Sequence, residues 1–392
     1  MNMNDMISPT VKNIPPSGIR KYFDLLNEMK DAISLSVGEP DFVTPWNIRE
    51  AGIYSLEKGQ THYSSNAGLI ELRSEIARYM EYRFGLKYNP REEILVTVGA
   101  SEAIDLALRS LIIPGDEVII PEPSFVAYKG CALLAGAVPV VIELQAKDQF
   151  RLTPEALEKA ITEKTKVVII PFPNNPTGAI MTKKDIEGIV EVLKNKDIVV
   201  ISDEIYAELT YEGEHVSIAS YPEMKEKTLV INGFSKAYAM TGWRIGYACG
   251  HPCLIDNMKK IHQYAIMCAP TNAQHAAIEA LRNSYDDVSM MVREYNRRRR
   301  LMVDGFRKAG LDCFEPLGAF YVFPCIASTG LSSDEFCEKL LMEEKVLVVP
   351  GTAFGNCGAG FVRATYASSV ENIIEAMKRI KRFVDRHRGL HI

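Results

Sequence analysis

The stretch SKAYAMTGWR, residues Ser235–Arg244, is the most informative part of this 392-residue chain. It lies between two apolar runs, Thr228–Asn232 and Ile245–Cys249, which we predict to be strands of one buried sheet. A lysine held between buried strands loses part of its hydration, which disfavours the charged ammonium form. Lys236 is therefore a candidate amine nucleophile for a carbonyl group.

Polar or small residues follow three further apolar runs. Asp203 ends one such run, and Asn175 lies in a proline-rich turn after another. A third run leads into Gly99, Ala100 and Ser101, where we expect a helix to begin with free backbone N–H groups suited to a phosphate. Because open α/β sheets bind ligands at the carboxyl ends of their strands, these positions predict one shared site.

An arginine also interrupts an apolar run near the C-terminus, since Arg363 lies within Phe361–Tyr366. Buried arginine is rare without an anion, and its planar guanidinium matches a carboxylate in shape. A substrate carboxylate would satisfy it, and an internal ion pair with Glu315 or Glu371 would do so equally.

The alternation of strand and helix patterns predicts an α/β fold with a mainly parallel sheet that is covered by helices on both faces. The strand candidates are 94–98, 117–120, 138–144, 167–171, 198–202, 228–232 and 245–249. After residue 285 a long charged helix, about 286–309, leads into a shorter mixture of strands and helices. We therefore predict a large domain at 47–285, a small α+β domain at 286–392, and an N-terminal segment, 1–46, that packs on the small domain.

Taken together, these motifs resemble the pyridoxal 5′-phosphate-dependent aminotransferases of fold type I, class I/II. The asparagine turn, the segment Asp203–Tyr206, the Ser-Lys…Arg segment and the late arginine follow the family's order and approximate spacing. The resemblance covers the chain from about Ser34 onwards. The runs NGFSK, 232–236, and AMTGWR, 239–244, are typical of its prokaryotic aspartate/aromatic-type branch. The family implies pyridoxal 5′-phosphate as the cofactor and a seven-stranded sheet in the large domain.

The resemblance also assigns catalytic roles. Lys236 would bond to the cofactor aldehyde and carry the proton during amino transfer. Asp203 would lie beside the pyridine nitrogen and keep it protonated, so that the ring can accept electrons. Tyr206 and Asn175 would hydrogen-bond the phenolic oxygen, and Phe125 would stack on the ring.

The remaining assignments concern the phosphate and the substrate. The residues that would hold the phosphate are Gly99, Ala100, Ser101, Ser235 and Arg244. Tyr63 would reach the phosphate of a neighbouring subunit, which implies a homodimer with shared active sites. Arg363 would bind the α-carboxylate of the substrate, assisted by the backbone N–H of Gly38.

Two positions depart from the family pattern, one that concerns the phosphate and one that concerns the substrate. Gly233 stands where the family often has a second serine, and Ser101 stands where some relatives carry a lysine for an acidic substrate. Ser101 weakens an aspartate-specific interpretation, and the resemblance alone favours an aromatic or other large neutral amino acid as the donor, with 2-oxoglutarate as the acceptor. Aspartate, alanine and N-acetyl-diaminopimelate aminotransferases remain alternatives, as does a carbon–sulfur β-lyase that shares the fold.

Composition limits the possible partners and compartment. A formal charge of −5 makes nucleic acid and anionic membranes unlikely partners, and no apolar run is long enough to span a bilayer. The eight cysteines lack paired spacing and the N-terminus lacks a secretory pattern, so we predict a cytoplasmic protein without a metal site. We expect Arg297–Arg300, within the long helix, to form a solvated face.

Overall fold

A central sheet of seven strands organises the computed structural model, which describes residues 2–12, 14 and 31–388. The strands of the described chain are β1 (Ile33–Ser34), β2 (Ile94–Thr97), β3 (Glu117–Glu122), β4 (Val138–Glu143), β5 (Thr165–Ile170), β6 (Val199–Asp203), β7 (Thr228–Gly233), β8 (Gly246–Cys249), β9 (Tyr321–Val322), β10 (Val346–Leu347), β11 (Val349–Pro350) and β12 (Val362–Thr365). The large sheet has the order β2-β8-β7-β6-β5-β3-β4, so all seven predicted strands are confirmed.

The direction of the strands decides where the polar residues meet. Strands β3 to β7 are mutually parallel, and β8 runs antiparallel between β2 and β7. The carboxyl ends of β2, β6 and β7 and the amino end of β8 therefore lie at one edge. The candidate site residues lie at or near these strand ends: Gly99 after β2, Asp203 at the end of β6, Lys236 after β7, and Arg244 before β8. They therefore lie along the same edge of the sheet.

Helices cover both faces of the sheet, as predicted from the alternation of strands and helices. One face packs on Ala100–Leu111 and Pro252–Ala265, and the other on Lys183–Leu193 and Ile70–Phe84. The other helices of the described residues are Met3–Met6, Pro9–Lys12, Trp46–Glu57, Ala127–Leu134, Pro154–Ala160, Pro222–Lys225, Thr271–Asn283, Tyr285–Lys308, Ser333–Glu344 and Val370–His387. In the described ranges, none of these helices is long and apolar enough to cross a membrane.

The C-terminal part forms a second core. Strand β12 pairs antiparallel with both β11 and β9, and the helices Tyr285–Lys308 and Val370–His387 pack on this small sheet. Strand β1 pairs in parallel with β10, joining Ile33 to Val346, so the described residues just before Leu35 contact the C-terminal core. Residues 1, 13 and 15–30 of the predicted N-terminal segment, 1–46, lie outside the described residues. The domain boundaries at 47 and 285 remain predictions.

The expectation of a solvated face at Arg297–Arg300 was wrong for two of its residues. Arg299 is fully buried, and its guanidinium donates to Glu315 at 2.6 Å and to Glu212 at 3.0 Å. Arg298 is also buried and forms a bidentate pair with Asp41. The helix pattern gave no sign of these partners because they come from distant segments of the chain.

Candidate active site

A cavity of about 250 Å³ opens at the edge of the sheet where the polar strand ends meet. The residues that line it are Ser36, Gly38, Ala100, Ser101, Ile104, Phe125, Tyr128, Pro173, Asn175, Asp203, Ile205, Tyr206, Ser235, Lys236, Arg244, Tyr321 and Arg363. Every site residue predicted from the sequence is in this set except Gly99 and Tyr63. The fold therefore brings together residues that lie far apart along the chain.

Lys236 is held in the cavity with its amine partly desolvated. Its Nζ donates to the carbonyl oxygen of Gly38 at 2.7 Å. Burial lowers the pKa of Lys236 to about 8; the nearby Glu39 opposes this shift, and Arg363 and Arg244 add to it. At pH 7 an amine with this pKa is about one-tenth neutral, far more than an ordinary lysine, and the neutral amine is the nucleophilic form.

Asp203 ends β6 as a buried carboxylate fixed by two hydrogen bonds. Its Oδ2 accepts from Tyr128 Oη at 2.7 Å, and its Oδ1 accepts from the backbone N–H of Ile205 at 3.2 Å. Burial raises the pKa of Asp203, and these two hydrogen bonds oppose the rise. A carboxylate held in this way can stabilise a protonated nitrogen of a bound ring.

Tyr128 was missed by the sequence analysis. Its ring lies edge-on to Phe125, with the ring centroids 5.7 Å apart, and its hydroxyl fixes Asp203. The short helix Ala127–Leu134 supplies this tyrosine from 75 positions away. A tyrosine in an amphipathic helix is usually core, and only the packed sheet shows that this one meets a carboxylate.

Arg363 lies on β12 and is buried beside the cavity. Its Nη1 donates to Asn175 Oδ1 at 2.9 Å and its Nη2 donates to the Ser36 carbonyl at 2.5 Å, while the buried Nε has no partner. Within the described ranges no carboxylate pairs with it, and Glu315, proposed as an internal partner, pairs with Arg299 instead. Burial lowers the pKa of Arg363, so a carboxylate from a ligand would relieve an unfavourable charge.

A glycine turn and Arg244 form the opposite end of the cavity. Gly99 has a φ of 78°, and a Cβ at this position would lie 2.5 Å from Arg244 Nη2. A Cβ on Gly246 would lie 2.7 Å from the backbone nitrogen of Ala100, so the backbones approach closely here. The turn thus presents the N–H groups of a helix start next to a guanidinium, which suits a phosphate.

The loop Ser235–Arg244 is held in place by the segment after Gly38. Thr44 Oγ1 donates to the Ala239 carbonyl at 2.6 Å, and Trp243 Nε1 donates to Thr44 Oγ1 at 3.1 Å. Ala239 and Arg244 both have a φ of 52°, which L-residues adopt only when their surroundings hold them there. These contacts keep Lys236 and Arg244 in fixed positions on either side of the cavity.

Tyr63 is not brought to the cavity of its own chain. Its side chain is 81% exposed, and it follows the helix Trp46–Glu57 on the surface. Tyr321, by contrast, was not singled out from the sequence and lies inside the cavity, where its hydroxyl is 2.9 Å from that of Tyr206.

The geometry fits pyridoxal 5′-phosphate on three independent grounds. A partly desolvated amine can bond to its aldehyde, a buried carboxylate can pair with its ring nitrogen, and a glycine turn under Arg244 can hold its phosphate. The orphaned Nε of Arg363 leaves a further buried donor for a substrate carboxylate. The chemistry available to these groups is proton transfer at a carbon next to a carboxylate.

Comparisons with known proteins agree with this chemistry. The family model for aminotransferase class I and II matches residues 30–380. A Bacillus subtilis (strain 168) protein assigned as an aminotransferase is 54% identical over 98% of this chain and 100% of its own length. An aspartate aminotransferase of Pyrococcus abyssi is 45% identical over 94% of this chain and 96% of its own. The crystal structure of an aromatic aminotransferase from Pyrococcus horikoshii superposes with a TM-score of 0.89, at 44% identity, over 93% of this chain and 99% of that one.

Matches of this extent leave no part of the cavity outside the shared fold. The amine, the carboxylate and the glycine turn all lie within residues 30–380, which the family model covers. This chain therefore belongs to the class I and II aminotransferases, enzymes that depend on pyridoxal 5′-phosphate.

Proposed function

We propose that this enzyme transfers the amino group of an aromatic or other large neutral L-amino acid to a 2-oxo acid, with 2-oxoglutarate as the acceptor. The observation that carries the choice of donor is the set of charges around the cavity. Among its described lining residues the cations are Lys236, Arg244 and Arg363. Each has a proposed task at the amine, the phosphate or the α-carboxylate, so a second carboxylate on the donor, like the distal carboxylate of 2-oxoglutarate, has no assigned cation among them.

The rest of the cavity wall favours a large apolar side chain. The apolar and aromatic lining residues are Ile104, Phe125, Tyr128, Pro173, Ile205, Tyr206 and Tyr321. Ser101 stands at the turn, where a cation would be needed for an acidic substrate. An aromatic side chain gains free energy by leaving water for such a surface, whereas a carboxylate would lose hydration without a partner.

We assign the chemical steps to four residues of the chain. Bound pyridoxal 5′-phosphate supplies the aldehyde that takes up nitrogen and the ring that accepts the electron pair of the substrate Cα. Lys236 in its neutral form removes the proton from Cα and returns it on the cofactor side. Asp203 holds a proton on the ring nitrogen, Tyr206 donates to the ring oxygen, and Arg363 holds the substrate carboxylate.

We also assign the contacts that position the cofactor. Asn175 would join Tyr206 at the ring oxygen, and Phe125 would stack on the ring. The residues assigned to the phosphate are Gly99, Ala100, Ser101, Ser235 and Arg244. The backbone N–H of Gly38 would assist Arg363, because Gly38 lies against both the arginine and Lys236. Fixed contacts of this kind let the reacting groups meet without reorganisation.

A comparison of donors tests the proposed specificity. Initial rates with 2-oxoglutarate are measured for phenylalanine, tyrosine, leucine, aspartate, alanine and N-acetyl-diaminopimelate. We expect the aromatic donors to have the highest kcat/KM. A clear preference for aspartate would contradict the proposal.

The Arg363→Lys variant tests the carboxylate site. Lysine keeps the charge but loses the planar pair of N–H groups, so we expect KM to rise about 10–100-fold for the amino acid and the oxo acid alike. Arg299→Lys is the matched control, since Arg299 is equally buried and lies outside the cavity. Unchanged KM values in Arg363→Lys would mean that Arg363 has a structural role only.

We further propose a homodimer in which Tyr63 completes the phosphate site of its partner. Tyr63 projects from a surface that also exposes Ile266 and Met267, and Asn66 donates to the Met267 carbonyl at 2.8 Å, which ties the two segments together. The nearby helix Trp46–Glu57 exposes four large apolar side chains as well. Light scattering should give twice the chain mass of 43.8 kDa. A fully active monomer would rule out the shared site.

A cytoplasmic location is part of the same proposal. All eight cysteines are free thiols, which suits a reducing compartment.

A further inference from the structure

Tyr321 lines the cavity and contacts three groups of the proposed site. Its Oη lies 2.9 Å from Tyr206 Oη, and the Cζ of Arg363 lies 4.5 Å from the centre of its ring. A Cβ on Gly38 would lie 2.8 Å from the same hydroxyl, so the glycine leaves just enough room for it. The face of the Tyr321 ring thus contacts Arg363, the proposed carboxylate-binding residue. Its hydroxyl contacts Tyr206, the proposed donor to the ring oxygen.

The direction of the hydrogen bond between the two tyrosines decides what Tyr206 can do. Each hydroxyl has one hydrogen, so a Tyr206 that donates to Tyr321 has none left for a ligand. If Tyr321 donates instead, the hydrogen of Tyr206 is free to point into the cavity. Both side chains are buried, and Tyr206 is the hydrogen-bond partner that the described residues offer to Tyr321.

Arg363 favours donation by Tyr321. A guanidinium over the ring attracts its electrons and makes the hydroxyl a stronger donor. Burial raises the pKa of Tyr206 well above its usual value and raises that of Tyr321 as well, and Arg363 opposes the rise for both. The asymmetry between the two hydroxyls is therefore the position of the guanidinium over the ring of Tyr321.

We propose that Tyr321 is a positioning residue that donates its hydroxyl hydrogen to Tyr206 and so directs the hydrogen of Tyr206 towards the ring oxygen of the cofactor. This inference rests on the proposed role of Tyr206. It needs no assumption about the donor amino acid, since it concerns the cofactor before any substrate binds.

The test is a pH titration of the colour of the purified holoenzyme, without substrate, in wild type and Tyr321→Phe. A hydrogen bond from Tyr206 would draw negative charge away from the ring oxygen of the cofactor. The ring oxygen would then attract the proton on the Lys236 nitrogen, which is bonded to the cofactor, less strongly, so the pKa of that nitrogen would be lower. Loss of the Tyr321 hydroxyl leaves Tyr206 free to rotate, so we expect the midpoint of the colour change to rise by about 0.5–1 pH unit.

Two further variants separate positioning from a general structural effect. Tyr366 is an equally buried tyrosine of the same core, and its hydroxyl donates to the Ala319 carbonyl at 3.1 Å. The variant Tyr366→Phe should therefore leave the midpoint of the colour change unchanged. In a Tyr206→Phe background, adding Tyr321→Phe should produce no further shift, because the two residues act in series.

Three results would overturn the inference. They are an unchanged midpoint in Tyr321→Phe, an equal shift in Tyr366→Phe, and an undiminished shift when Tyr206 is already phenylalanine. A wild-type enzyme whose colour does not depend on pH while it is folded would overturn it too. Failure of the proposed donor specificity would leave the titration unaffected, so the two proposals fail separately.

Discussion

Replacing Lys236 with alanine is expected to abolish amino transfer, with a loss of at least about 10⁴-fold in kcat. The variant lacks both the amine that bonds to the cofactor and the base that moves the Cα proton. Other lysines cannot substitute, because the described residues that line the cavity include no lysine besides Lys236. Turnover is measured with an aromatic donor and 2-oxoglutarate, together with the visible spectrum of the protein after addition of the cofactor.

Lys227→Ala is the matched control for this variant. The amine of Lys227 donates to the carbonyl oxygens of Leu193, Lys194 and Lys196, and burial lowers its pKa, but it lies away from the cavity. Its loss should lower stability and leave the turnover of the folded enzyme near that of wild type. Wild-type turnover in Lys236→Ala would remove the central assignment.

The second large effect is expected for Asp203→Asn, which should lower kcat by about 10²–10³-fold. Asparagine has nearly the same size and can still accept the hydrogen bond of Tyr128. The substitution therefore removes the negative charge that would hold a proton on the ring nitrogen while it preserves the packing of β6. The loss should appear in the rate of the half-reaction with a single amino acid, where chemistry alone is measured.

Variants of two neighbouring residues serve as comparisons for the fall in kcat expected in Asp203→Asn. Tyr128→Phe keeps the charge of Asp203 and removes one of its hydrogen bonds, so a smaller loss is expected. Glu204→Gln neutralises the adjacent carboxylate, which is buried and bound by Ser202, Ser217 and His215 outside the cavity. A loss in Glu204→Gln as large as in Asp203→Asn would show that any nearby charge serves, and the role of Asp203 would then be untenable.

The sequence predicted the large sheet well because its strands, apart from the partly exposed edge strand β4, are buried on both faces. Runs such as 167–170 and 198–201 are apolar and β-branched throughout, a pattern that helices rarely show. The polar residues at the ends of these strands then had to meet at one edge, since parallel strands align their carboxyl ends. This geometry explains why Asp203, Asn175 and Lys236 line one cavity.

Contacts between distant segments were beyond the reach of sequence patterns. The sequence around Tyr128 and Tyr321 gives no sign of a functional role, and only their packing shows hydroxyls on Asp203 and Tyr206. Arg299 read as a surface charge, although carboxylates from two other segments make its burial possible. Such pairings depend on tertiary structure, because each partner has an ordinary local sequence.

The most direct test of the account is the visible spectrum of the yellow holoenzyme mixed with a single aromatic amino acid, without any oxo acid. We predict that the yellow band bleaches as the cofactor takes up the amino group, and that 2-oxoglutarate restores it. A yellow band that persists with every aromatic amino acid would contradict this account. Release of pyruvate and ammonia from cysteine or cystathionine, with the yellow colour retained, would indicate a carbon–sulfur lyase instead.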